Sequence, residues 1–70
     1  MSATLEINGK LHDAAAVEEI LYFLDRLRES GKTNMLVAVP FMVDEFPDLE
    51  DDGDDSNARD ILKHWMGARA

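Results

Sequence analysis

The chain has seventy residues, fifteen carboxylates against seven Lys and Arg, a formal net charge of −8 and no cysteine. One small domain with a marginal core follows, since a chain of this size buries only about 60% of its unfolded surface. Disulfides and thiolate metal sites are excluded, and the acidic balance argues against direct contact with nucleic acid or anionic lipid, because like charge repels phosphate. The cysteine-free composition fits a reducing compartment. The opening MSATLEING has neither a basic n-region nor an apolar h-region, so secretion is not indicated. No apolar run approaches the roughly 20 residues of a membrane span.

The first element is a strand or hairpin arm over residues 1–12. Leu5 and Ile7 alternate with polar neighbours, and Asn8-Gly9 is the favoured pair of a two-residue hairpin turn. A lone hairpin is barely stable in water, so it must lie on the helices or pair with another copy. Residues 13–70 form the helical domain. Asp13 reads as an N-cap, and Ala14 to Ser30 as a helix whose stripe is Val17, Ile20, Leu21, Leu24 and Leu27, widened by Ala16 and Phe23. Gly31 stands where a left-handed C-cap belongs. Tyr22 projects away from the stripe among Glu18, Glu19, Arg26 and Glu29. There it is either a solvated ring lying along Arg26 or a contact residue for a partner.

Thr33 or Asn34 can cap a new turn through residues 34–38, with a strand over Met35–Val39 as the competing reading. Pro40 lacks a donor and opens a short helix running to Phe46, with Val39, Met42, Val43 and Phe46 on one face. Asp44 and Glu45 lie near its C-terminus, where negative charge opposes the macrodipole at about 0.3–1 kcal/mol each. Such an unfavourable placement hints at a functional demand. An acidic loop, residues 47–57, follows, with Leu49 its only apolar anchor. Ser56 or Asn57 caps the last helix, Ala58–Met66, whose stripe is Ala58, Ile61, Leu62 and Trp65 and which Gly67 ends. Trp65 is the largest core anchor, and His64 sits off the stripe one turn after Asp60.

The fold class is therefore mostly α: a small three-helix domain with an N-terminal β-strand or hairpin and an acidic loop before the last helix. The expected core is Val17, Ile20, Leu21, Leu24, Leu27, Val43, Phe46, Ile61, Leu62 and Trp65. Phe23, Phe41 and Met42 are candidates to remain outside, and if they cluster there they imply a homodimer or a partner groove.

Charge is the feature that points to function. Between Asp44 and Asp60 nine carboxylates face only Arg59, a local charge of −8, whereas residues 1–43 carry −2 and residues 61–70 carry +2. A run of this kind must be solvated, neutralised by a cation, or offered to a basic partner. Calcium is the sharpest cation reading. With Gly53 at the sixth position of an EF-hand loop, Asp48, Glu50 and Asp52 take positions 1, 3 and 5. The second half does not fit, since the closing position is Arg59, and a resident metal or other cofactor is not expected. Catalysis is not expected either. Acid–base work by paired carboxylates needs a cleft and differentiated environments, and no phosphate loop or nucleophile constellation is present. The remaining reading is an electrostatic contact: Asp48, Glu50, Asp51, Asp52, Asp54 and Asp55 steer a protein partner with a basic surface, and Tyr22 or Phe41 anchors it.

The stretch Leu24-Asp25-Arg26-Leu27-Arg28-Glu29-Ser30-Gly31, then Thr33-Asn34-Met35, Ala38, Pro40, Phe46, Ala58-Arg59, Ile61-Leu62 and Trp65-Met66, resembles small, mostly uncharacterised proteins encoded by tailed bacteriophages. The similarity covers about residues 20–66. It implies a viral origin and the cytoplasm of a bacterial host, not a mechanism. It is the confined acidic charge that makes inhibition of a host defence or nucleic-acid-processing factor the most concrete form of the binding reading. In those relatives a short Gly-Leu-Ser turn leads into the last helix, a connection compatible with a helix-turn-helix regulator. Here the longer acidic loop replaces that turn, which departs from the pattern. A helix-turn-helix regulator stays the alternative reading, with Arg59, Lys63 and Arg69 as the basic residues its final helix offers.

Overall fold

The computed structural model describes residues 3–31 and 34–69. Two strands, β1 (Thr4–Ile7) and β2 (Lys10–Asp13), form an antiparallel hairpin that precedes three helices, α1 (Ala14–Ser30), α2 (Val39–Glu45) and α3 (Ser56–Arg69). Short 3-10 turns occupy Met35–Val37 and Pro47–Leu49. The mostly helical class with an N-terminal hairpin is thus the observed one.

Asn8 and Gly9 make the hairpin turn with φ of 52° and 79°. Positive φ at both central residues matches the right-handed twist of the strands, which is why this dipeptide sets the register. Leu5 pairs with His12 and Ile7 with Lys10, so these four share one face. That face lies on the helices: Ile7 is buried while Leu11, on the other face, is 73% exposed. The hairpin therefore gains its missing support from its own chain.

Helix α1 begins and ends where its residues demand. The Asp13 carboxylate accepts from the Ala15 N–H at 3.2 Å. Gly31 adopts φ 68° and returns its N–H to the Arg28 carbonyl. The five residues of the predicted stripe, Val17, Ile20, Leu21, Leu24 and Leu27, are buried, whereas of the two expected to widen it Phe23 is half-buried and Ala16 is exposed. The stripe meets Ala58, Ile61, Leu62 and Trp65 of α3 and Met42 of α2 in one cluster. Trp65 is 1% exposed. Its indole N–H donates to Asp25 Oδ1 at 2.8 Å, and the Arg28 guanidinium lies 5.3 Å from its ring centre. A buried indole needs an acceptor; Asp25 supplies it from α1 and so ties the two long helices together.

Four expectations are corrected. Val43 and Phe46 are only half-buried against the core, while Met42, a candidate for the outside, is wholly buried. A helix of two turns can be rotated by whatever it packs on, and here Met42 points inward. Phe23 is half-buried too, edge-on to Phe46 at 5.6 Å, so Phe23, Phe41 and Met42 do not cluster on the surface. Segment 35–37 is a 3-10 turn, as the turn reading has it and not the competing strand, and α2 starts at Val39, beside the expected Pro40. Helix α3 opens at Ser56 and runs through Gly67 to Arg69. One interior glycine costs only about 1 kcal/mol and does not stop a formed ladder. Of the proposed caps before α2, Thr33 lies outside the described residues.

Candidate partner-binding face

The acidic connector between α2 and α3 is locally built rather than slack. Pro47 opens a 3-10 turn that carries Leu49 into the core at 7% exposure. Asp51 and Asp54 then exchange both backbone hydrogen bonds, at 3.0 and 2.9 Å. Between them Asp52 and Gly53 take φ of 53° and 83°. This is the same double-positive turn as Asn8-Gly9, and Asp-Gly is its second favoured pair. Gly53 therefore serves a tight turn and not the sixth position of an EF-hand loop.

Asp54 ends the turn by starting α3. Its Oδ1 accepts from the Ser56 N–H at 2.9 Å, so the cap comes from Asp54 and not from Ser56 or Asn57. That hydrogen bond, reinforced by the Ser56 side chain and by the charges of Lys10 and Arg59, holds the Asp54 carboxyl below its ordinary value of 3.8. Asp55 pairs with Arg59 at 3.0 Å, one helical turn away. Asp48, Glu50, Asp51 and Asp52 are exposed, and no Lys or Arg among the described residues makes an ion pair with them.

Lys10 reaches the first turns of α3 from the hairpin. Its Nζ stands 3.4 Å from Ser56 Oγ, 3.4 Å from Asn57 Oδ1 and 3.8 Å from Asp60 Oδ2. Asn8 Nδ2 donates to Asp60 Oδ1 at 3.2 Å. Asp60 is thereby absorbed into a latch between the hairpin and α3. His64, one turn on, lines an open cleft with Asp60, Lys63 and Glu6.

The predicted contact residues fall into separate places. Tyr22 is 63% exposed, and the Arg26 guanidinium lies 5.8 Å from its ring centre, as the solvated reading expects. It lines a groove with Phe23, Phe46 and Glu45. Phe41 is 42% exposed on α2. Glu50 and Asp55 border a different groove, of about 430 Å³, whose other walls are Val39, Pro40, Val43 and Asp44. Sequence reasoning missed this groove. The spacing of Val39 with Val43 and of Pro40 with Asp44 was its only trace, and it became a groove only when the connector folded alongside. Among the described residues no group of three histidines or carboxylates is placed to hold a metal ion, so Asp48, Glu50 and Asp52 are not assembled as calcium ligands. No described helix is long and apolar enough to cross a membrane.

Comparison with protein-family models, with curated proteins and with solved structures finds no significant match to this chain, so the functional reading stands on the geometry of this acidic face.

Proposed function

We propose that this protein is a non-catalytic, stoichiometric binder that engages a basic surface on a protein partner through its acidic connector. The observation that carries the reading is the asymmetry of charge pairing. Lys10 and Arg59 are turned to Asp60 and Asp55, whereas Asp48, Glu50, Asp51 and Asp52 stand exposed on an ordered support. Clustered exposed carboxylates raise the rate of encounter with a basic patch and fix its orientation. They also do so without a large buried area. The phage resemblance makes a bacterial protein the natural partner class, and a defence or nucleic-acid-processing factor has the basic groove such a surface fits.

The test is a comparative capture from bacterial lysate at low salt, eluted by a salt step. The native protein is set against a variant with Asp48→Asn, Glu50→Gln, Asp51→Asn and Asp52→Asn. The expected result is a partner retained by the native chain, released by salt and lost from the variant. Equal retention with equal salt dependence removes the connector from the mechanism.

A further inference from the structure

We propose that the groove between α2 and the connector is the seat of the contact, and that it takes a partner segment in which an apolar side chain is flanked by Arg. This rests on the acidic-face reading above and names the chemistry of the partner. Val39 and Val43, one turn apart on α2, form an apolar floor with Pro40. Three carboxylates line the groove with them: Asp44 from the last turn of α2, and Glu50 and Asp55 from the two ends of the segment between the 3-10 turn and α3. Asp44 and Glu50 are exposed, and neither makes an ion pair with a described residue.

Two features separate this groove from a merely solvated acidic surface. A solubilising charge needs no apolar floor, yet here the half-buried faces of Val39 and Val43 line the space between the carboxylates. Helix α2 also carries Asp44 and Glu45 in its last turn with no basic residue beside them. That placement opposes the helix dipole, and a docked cation offsets it. Arg suits the rim better than Lys, because a planar guanidinium can meet a carboxylate through two parallel hydrogen bonds. Asp55 already holds Arg59 at 3.0 Å, so a docking Arg competes with an exposed pair that is cheap to break. The work is divided by position: Asp51 and Asp52 at the turn act at long range on encounter, and the groove holds what arrives.

Two capped five-residue probes of equal charge test this, Gly-Arg-Leu-Arg-Gly and Gly-Arg-Ser-Arg-Gly, titrated at low ionic strength with backbone amide shifts as the readout. The leucine probe should move the amides of Val39, Val43 and Glu50 and bind about fivefold or more tightly than the serine probe. Asp44→Asn and Glu50→Gln, both at exposed positions, should each weaken it about threefold. Asp51→Asn with Asp52→Asn should flatten the salt dependence and preserve the ratio between probes. Equal binding of the two probes, or unmoved groove amides, overturns the proposal. If that happens while the four-carboxylate variant still loses its lysate partner, the groove falls and the acidic face stands. If the four-carboxylate variant also keeps its partner, both fall.

Discussion

The chain makes the same tight turn twice, at Asn8-Gly9 and at Asp52-Gly53, with nearly equal backbone angles of 52° and 79° against 53° and 83°. Both turns flank the start of α3. The first is latched: Asn8 and Lys10 reach Asp60, Ser56 and Asn57, and the neighbouring Ile7 is buried. The second is presented: Asp51, Asp52 and Gly53 are exposed, and it is joined to α3 through the Asp54 cap. Turn geometry is a local matter of residues that tolerate positive φ. What a turn is for is decided by the charges and apolar groups beside it. A turn bordered by Ile7 and Lys10 becomes structure, and a turn bordered by aspartates becomes surface.

The largest effect should come from the anchor of α3, the helix whose start lies beside both turns. Trp65→Ala removes the mooring of α3 on α1 and leaves the Asp25 carboxylate without its indole partner; a loss of about 3–5 kcal/mol is expected in urea unfolding. Both turns should lose order together. If the hairpin amides kept their protection against exchange in this variant, the hairpin would be folding independently of α3.

Next come the two glycines, which separate the turns. A Cβ at Gly9 or Gly53 meets no atom within 4 Å, so the cost of Ala at either is backbone strain alone, about 1–2 kcal/mol. Gly9→Ala should show that full cost in global stability, because the hairpin carries Ile7 into the core. Gly53→Ala should show less, because the connector tip can fray locally without opening the core. Equal losses by chemical denaturation would place the connector tip within the cooperative core.

Lys10 and Arg59 provide a sharper contrast. Lys10→Met leaves Asp60, whose side chain is 12% exposed, without its cation, and should cost about 1–2 kcal/mol. Arg59→Met breaks an exposed pair, 60% and 36% exposed, and should cost about 0.5 kcal/mol or less. Thermal melts of the two variants at one ionic strength check the ranking.

The smallest effect is a matter of pH. The folded Asp54 carboxyl is held below its ordinary value of 3.8, chiefly by the Ser56 N–H. Its contribution is therefore complete above that ordinary value and is lost as pH falls through the depressed one. Asp54→Asn keeps an oxygen for the Ser56 N–H and cannot titrate, so its melting temperature should fall less steeply than the native protein's below about pH 4. Parallel acid limbs would mean that other groups govern this range.

Much of the fold was legible because its signals are local. Asn8-Gly9 announced the hairpin, Asp13 and Gly31 the two ends of α1, and Leu49 the one anchor of the connector. The stripe of α1 was read without error over its five buried residues, since seventeen residues leave little doubt about which face repeats. The seven-residue α2 was misread, with Val43 and Phe46 preferred to Met42. Two turns cannot define their own rotation, so the neighbour they pack on chooses the buried face. Ala38 and Ala58 are fully buried for a related reason, as small side chains that allow close approach. Trp65 was placed correctly, but its acceptor Asp25 stands forty positions away in the chain and only packing brings the two together.

The chain alone determined the helical class, the twice-used turn and the concentration of negative charge before the last helix, all of which depend on neighbours in sequence. Tertiary structure decided which of those charges are consumed. Ser56 and Asp60 meet the hairpin's Lys10 across forty-six and fifty positions of chain, respectively. Asp44, Glu50 and Asp55 converge on Val39, Pro40 and Val43 only once the connector has folded beside α2. Pairing and groove formation depend on distances in space, and those exist only after the elements have packed.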